Sequence, residues 1–472
     1  NLGAEYRLAD GVRLQLAYLN GSQVGVSLGY TLNPRVSPSR SGTEGAPPPV
    51  IRRGSLAADP EAYATDWVTD ERGKAQFQAR LADALADEGI ELEALALRAQ
   101  SAELRIENTR FGARSQAIGR TLRLLSRTLP DSIELITIVP VTDGVPDAAI
   151  SFRRTDIENL EHEPARAILA RAAYASGSGP ASEDLVFTPG TYPEFSWDLS
   201  PYVRLGFFDP TNPLRAEAGL RLSARYQVSP GLILQGSIRQ RVIGNLDDIG
   251  RISETTLPTV RTDFYKYARD GETAIDTLTL NHFGRPGTDL YSRVTVGLLE
   301  TMYAGASTEV LWKQPDSRFG LGASLAYVRK RDYEGFFGLQ DYDVWTGHVS
   351  AYYDFGGGYH GQLDVGRYLA GDEGATITLD REFDNGWKVG AFATFTNVSF
   401  EDFGEGSFDK GLRFVVPLSW FTGRPSTTQF QTTVRPLTRD GGAQLSTGGR
   451  LYDRVRDSHE GDLLGASGRF WR

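Results

Sequence analysis

The sequence predicts a mainly β chain, built around an antiparallel transmembrane β-barrel of about 14 strands. A small soluble α/β module and an N-terminal hairpin precede the barrel. Two observations carry this fold class. From about Glu194 to Arg472, runs of some ten residues alternate apolar with small or polar residues, and turn residues separate the runs. In Phe319–Tyr327 the odd positions read Phe319, Leu321, Ala323, Leu325 and Tyr327, with Gly or small residues between. Trp387–Phe395 likewise carries aromatics at both ends of one face. Two aromatics eight residues apart lie about 26 Å apart along a strand, at roughly 3.3 Å per residue. Tilted by about 40°, such a strand keeps roughly 20 Å along the membrane normal, near the height of an outer-membrane apolar band between its aromatic girdles.

Composition is the second observation. The chain of 472 residues has 52 Gly, 20 Tyr and 7 Trp, which suits tight turns and interfacial belts. It has no Cys and one Met, which excludes a disulfide framework and a thiolate metal site. Mean hydropathy is −0.32, and no run approaches the 18 or so apolar residues of a spanning helix. Spanning strands remain possible because each shows only half its side chains to lipid. A net charge of −10 argues against a nucleic-acid partner, which needs a clustered basic face.

In chain order, residues 12–30 read as two strands. Val12, Leu14, Leu16 and Tyr18 share one face, Val24, Val26, Leu28 and Tyr30 the next, across an Asn20-Gly21 turn. A lone hairpin is marginally stable, so further strands are expected to complete it, and Asn1 reads as a start inside a fold. Residues 33–60, with Pro34, Pro38 and Pro47–Pro49, have linker composition. The module at 61–175 carries two amphipathic helices. Phe77, Leu81 and Leu85 mark the first, and Ile118, Leu122, Leu125 and Leu129 the second, stopped by Pro130. Short strands are expected at Leu104–Asn108, Ile133–Val139 and Ala149–Phe152. From Trp197 the strand candidates include 218–228, 232–242, 274–283, 289–299, 305–313, 319–329, 344–355, 359–369, 374–382, 386–397 and 409–416. The polar stretches 244–273 and 399–408 read as long loops. Lys388 is expected in the lumen, Arg329 and Arg331 at a rim, and Arg367 at a rim or in the lumen. A lipid-facing charge at mid-membrane costs roughly 2–4 kcal/mol. A soluble β-sandwich, whose outer face is equally polar, is the alternative.

Catalytic patterns are absent from the sequence: there is no G-x-S-x-G elbow, H-E-x-x-H, P-loop or EF-hand loop. His162-Glu163 and His459-Glu460 begin like a zinc-protease motif but lack the second His. His162, His282, His348, His360 and His459 are scattered, without metal-ligand spacing. Glu401-Asp402 and the Asp440 segment offer acidic groups that read as solvated loop residues. No cofactor is expected, and a non-enzymatic role is.

Several segments of the C-terminal half resemble the YjbH family (GfcD-like proteins) of exopolysaccharide and capsule clusters. They are Trp197–Tyr202, Phe207–Arg215, Leu257–Arg261, Gly297–Glu300, Gly347-His348, Gly366–Asp372, Gly406–Gly411 and Pro436–Gly442. Their order spans roughly 250 residues, and the α/β module resembles the family's central segment. The resemblance implies an outer-membrane protein with two barrels joined by a periplasmic module, in which residues 1–32 are the last strands of a truncated N-terminal barrel. It implies partners among outer-membrane lipid, polysaccharide and other export-cluster proteins. Arg367, Tyr368 and Asp372, with Arg439 and Asp440, are the candidate glycan contacts, since glycans are held by aromatic faces, carboxylates and Arg. Turn structure and ion pairing are the competing reading of both segments. The rival functions are an outer-membrane enzyme acting on glycan or lipid, and a soluble carbohydrate-binding sandwich. The module is expected to be a periplasmic docking surface that pivots between its two flexible flanks.

Overall fold

The computed structural model describes every residue except 1, 10–11, 20, 22, 31–36, 38, 40–43, 179–183, 209–211, 213, 249–255 and 400–407. Asn20 of the expected first turn and the Glu401-Asp402 pair therefore lie outside the described residues.

The described residues form three sheets. The first is antiparallel, β1 (Leu2–Ala9), β2 (Val12–Leu19) and β3 (Gln23–Tyr30), so the expected hairpin gains a strand. Tyr6, Leu16, Val24 and Val26 stand exposed on it. The α/β module follows, with helices α1 (Glu71–Asp87) and α2 (Arg114–Thr128). Its strands are β4 (Ile90–Leu97), β5 (Ser101–Asn108), β6 (Leu135–Thr142), β7 (Val145–Pro146), β8 (Ala148–Arg153), β9 (Ala173–Ser176) and β10 (Val186–Phe187). The order is β10-β4-β5-β6-β8-β9. β5 and β6 pair in parallel, as α2 is long enough to carry the crossover between them. Short helices α3 (Arg154–Leu160) and α4 (Arg166–Leu169) complete the module.

The stretch before the module is packed rather than free. Val50 is part of the module core, and Arg53 ion-pairs with Glu134 and Glu158 at 2.7 Å each. Asp143 and Gly144, at the β6–β7 turn, meet the barrel: the Asp143 carbonyl accepts the Gly231 N–H at 2.9 Å. Asp143 also ion-pairs with Arg225 and Arg454. The module is thus bonded to the barrel at the β6–β7 turn as well as joined to it in sequence.

The third sheet is a 13-stranded, nearly closed antiparallel barrel in which every strand pairs with its sequence neighbours. Its first strands are β11 (Glu194–Phe207), β12 (Leu214–Ser229), β13 (Leu232–Gly244), β14 (Thr273–Gly287), β15 (Leu290–Leu298) and β16 (Tyr303–Lys313). They continue as β17 (Phe319–Arg331), β18 (Leu339–Gly356), β19 (Tyr359–Arg367), β20 (Glu373–Glu382), β21 (Lys388–Thr396), β22 (Asp409–Pro417) and β23 (Gln429–Val434). Most connections at the module end are short, such as Ser229–Gly231 and Gly356–Gly358, the longer β22–β23 connection being the exception. Gly356, Gly357 and Gly358 all take positive φ, which a tight turn of three residues demands. The 244–273 stretch is no solvated loop throughout: α5 (Phe264–Asp270) folds inward, and Val260 and Tyr267 are buried.

Two sequence expectations are corrected here. Arg329 is exposed at the rim, where it pairs with Asp341, but Arg331 is fully buried. A register shift between them moves Arg331 to the inner face, where its guanidinium donates to the carbonyls of Ile275, Glu300, Thr301, Gly335 and Phe336. The barrel also does not run to residue 472. Strands end at Val434, and the chain turns back through the lumen as α7 (Leu451–Val455) and α8 (Glu460–Gly465). Pro417 and Gly423 bound the remaining short helix, α6 (Leu418–Thr422), in the β22–β23 connection. The terminal Phe470 closes no strand: it is buried in the module core against Phe152, with ring centroids 6.1 Å apart.

Three predictions follow from this packing. Leu325 is half exposed on the outer face, so Leu325→Arg should destabilise the folded protein in lipid by about 2–4 kcal/mol. Urea unfolding in liposomes measures the loss, and an unchanged midpoint would contradict the face assignment. Phe470→Ala should cost about 3–5 kcal/mol, read from denaturant unfolding followed by circular dichroism. Glu107, on β5 beside Glu91, is pushed up to about 7 chiefly by burial. Its folded pKa exceeds the unfolded one, so its stabilising contribution is complete below pH ~4.5 and is lost as pH rises through 7. Glu107→Gln should therefore raise stability at pH 8 by about 1–3 kcal/mol and leave it nearly unchanged at pH 4.

Candidate functional site

The barrel wall is inverted relative to a water-soluble fold. Along β12, Arg215, Glu217 and Gln227 are buried while Leu214, Leu220, Leu222 and Tyr226 are exposed. The same holds on β18, where Thr346, His348 and Ser350 are buried and Trp345, Val349 and Tyr353 exposed. Buried charges survive only with partners. Some find them across the wall. Arg293 ion-pairs with Glu309 at 2.6 Å, and Lys388 with Glu382 at 3.2 Å on the inner face where the sequence places it.

Others depend on the returning C-terminal segment. Asp440 Oδ1 accepts the backbone N–H groups of Val260, Arg261 and Thr262 at 2.8, 2.7 and 3.0 Å, and its Oδ2 accepts the Thr262 hydroxyl at 2.7 Å. That single carboxylate staples the inward-folded 257–271 stretch to the segment. Arg261 then grips Glu300 through both Nη atoms at 2.7 and 3.2 Å. Further along, Arg450 reaches Asp364 at 3.0 Å, and the Leu451 N–H reaches Glu309 at 2.9 Å. Tyr452 stacks on Tyr352 with centroids 4.1 Å apart. Ser458 donates to Asp147 of the module at 3.0 Å, and Ser115 of α2 donates to the Ala466 carbonyl at 2.8 Å. Gly119 of α2 lies so close to Phe470 that a Cβ there would stand 1.7 Å from its carbonyl oxygen. The segment is thus a plug, threaded through the lumen and anchored in the module.

The five sequence candidates fall around the plug's outer end. Tyr368 is buried, edge-on to His348 at 4.8 Å, with its hydroxyl 2.7 Å from Thr376 Oγ1. Asp372 accepts the Gly442 N–H at 2.8 Å. The structure brings these two together with Asp440, while Arg439 is half-buried. Arg367 shares the outward parity of Leu363 and Val365 and is exposed. Sequence reasoning missed Arg261, Arg450 and Arg456. For Arg450 and Arg456 the one signal is a cluster of arginines after the last strand, too polar for a barrel wall; Arg261, in the β13–β14 connection, has no such signal.

The histidines do not converge. His162 and His282 are exposed, and His459 lies 3.2 Å from the Tyr291 hydroxyl. His360, Glu382 and Asp462 do sit within 4.8 Å of one another, at ligand distance for an ion. Arg456 already fills that role: its Nη1 bonds Asp462 at 2.6 Å and approaches His360 at 3.2 Å, and its Nη2 bonds Glu382 at 2.7 Å. Between plug and wall remains a cavity of about 90 Å³, lined by Arg293, Glu309, His348, Gln444 and Arg450. No helix among the described residues is long and apolar enough to cross a membrane, which says nothing about strands.

Comparison with known proteins agrees with the sequence resemblance. Residues 1–457 match the YjbH family, described as exopolysaccharide biosynthesis protein. The chain is also 29% identical to an uncharacterized lipoprotein YjbH of Escherichia coli K12, over 97% of this chain and 65% of that protein. It therefore spans slightly less than two thirds of that relative's length. A meander barrel with a plugged polar lumen, matched by a family pattern over nearly its whole length, leads to one assignment: the chain belongs to the YjbH family of exopolysaccharide biosynthesis proteins.

Proposed function

We propose that this protein is an outer-membrane barrel that assists exopolysaccharide or capsule secretion without itself catalysing a reaction. The observation that carries the reading is the inverted wall, with apolar side chains outside and charges inside. In water the exposed set, from Phe195, Trp197 and Leu199 on β11 to Leu363 and Val365 on β19, would form an apolar surface far larger than a soluble monomer tolerates. In lipid the same surface is the stabilising one, and barrels are the strand architecture that satisfies every backbone group there. The relative's designation as a lipoprotein fits a cell-envelope address.

Orientation follows from the connections. Short turns and the module share one end, and the longer 244–273 and 397–408 connections share the other. Outer-membrane barrels keep short turns in the periplasm, so the module is periplasmic. There it is placed to meet sister export proteins, and the lumen to meet the glycan. The plug makes the resting state closed.

Deleting the gene should abolish or reduce surface polysaccharide under inducing conditions, and the protein should fractionate with outer membranes and need detergent for extraction. Unchanged polysaccharide, or extraction into plain buffer, overturns the reading. Asp440→Asn weakens the staple on Val260, Arg261 and Thr262 by about 2–3 kcal/mol. It should raise ion conductance in planar bilayers over a nearly silent wild type, and equal conductance would contradict the plug.

A further inference from the structure

The plug does not fill the lumen evenly. Its cations lie against the acidic part of the wall, where Asp354, Asp364, Asp380 and Glu382 face inward: Arg450 takes Asp364, and Arg456 takes Glu382. Against β15–β18 the inward residues Arg293, Thr295, Ser307, Thr346 and Ser350 are buried. Across the lumen the picture changes. The inward-facing Ser196 and Asp198 of β11 are exposed, and Ser200, Ser223 and Ser237 are only half-buried. A groove therefore runs along β11–β13. It is bounded on one side by the edge of β11, which among the described residues has no ladder partner beyond β12.

Three arginines line this groove. Arg204, Arg221 and Arg225 have side chains 26, 37 and 32% exposed. Their carboxylate partners lie beneath them: Glu217, Asp276 and Asp143 are 1, 11 and 9% exposed, at 3.5, 3.0 and 2.6 Å. Glu217 is further occupied by the Tyr202 hydroxyl at 2.7 Å. The acids fix the arginines in place, and the guanidinium edges form the surface that a ligand meets. Among the described residues of β11, Asp198 and, at the module end, Glu194 are acids exposed on the same wall. Arg204 of β11 sits opposite Glu217 in register, so the three arginines stand at the levels of residues 217, 221 and 225 of β12, four residues apart. That is a step of about 13 Å along the strand. Ser223 and Ser237 lie between the second and third steps, and Ser200 and Ser196 stand beside Arg221 and Arg225 in register. Planar guanidiniums at regular intervals, with hydroxyls between, are suited to carboxylates on a hydroxyl-rich polymer.

We propose that the β11–β13 groove binds an acidic polysaccharide along its length, which rests on the secretion reading and names the glycan's chemical class. The test uses the full-length protein in detergent with fluorescent oligogalacturonate, and a neutral malto-oligosaccharide of equal length, read by anisotropy. The acidic oligomer should bind in a salt-sensitive manner and the neutral one at least tenfold more weakly. Arg221→Gln and Arg204→Gln should each weaken acidic binding about tenfold while heat-modifiable gel mobility stays as in wild type. Arg329→Gln, at the rim and outside the groove, should leave binding unchanged. Equal binding of the two oligomers, or full affinity in both groove variants, overturns the proposal. Failure of acidic binding in a protein whose deletion does abolish surface polysaccharide overturns the groove alone. Arginine-dependent binding in a strain whose polysaccharide survives deletion supports the groove and removes the secretion reading.

Discussion

A sheet that turns its charges inward must neutralise them inside its own lumen, and every other feature of this chain answers that constraint. Taking an unpaired ion out of water costs several kcal/mol, more than a single wall contact returns. Part of the debt is met across the wall, by Arg293 with Glu309 and Lys388 with Glu382. The rest is met by the C-terminal segment, whose Arg450 and Arg456 reach Asp364, Glu382 and Asp462. The plug is therefore not an accessory laid into a finished barrel. It is part of the electrostatic structure of the lumen.

That dependence ties the barrel to the module. The segment that neutralises the lumen ends with Leu463 and Phe470 in the module core, and Arg120 and Arg123 of α2 donate to the carbonyls of Arg472 and Trp471. Asp147, fully buried at the junction, takes Arg114, Thr142 and Ser458 together. Burial pushes its carboxyl up while Arg114 pulls it back. A rearrangement of the module and the closure of the lumen thus share one chain segment. Withdrawing the plug exposes the acidic wall and takes Phe470 with it.

The barrel was legible because alternation is a local property. Phe319–Tyr327 shows its outer face in five residues, and the strand bounds fall near the observed ones. The module's helices were legible for the same reason, through Leu81, Leu85, Ile118 and Leu122. What stayed hidden is long-range. Arg331 was assigned to the rim because period-2 parity cannot register a bulge. The alternating pattern is carried to Arg472, yet Phe470 lies in the module core, because an aromatic looks alike in a strand and in a docked tail. Asp372 and Asp440 stood out in the sequence, but their hydrogen bonds are to backbone N–H groups some 70 and 180 residues away. No spacing announces such a contact.

The absence of Cys from the chain makes its central claim directly measurable, because a single introduced cysteine takes a nitroxide label without competition. Labels placed in turn at positions 321 to 326 of β17, with the protein in lipid vesicles, report accessibility to oxygen and to a water-soluble nickel chelate. Residues 321, 323 and 325 should be open to oxygen and shielded from the chelate, and 322, 324 and 326 shielded from oxygen. Equal access of the nickel chelate at Leu325 and in bulk water would place that face in water and contradict the inverted wall.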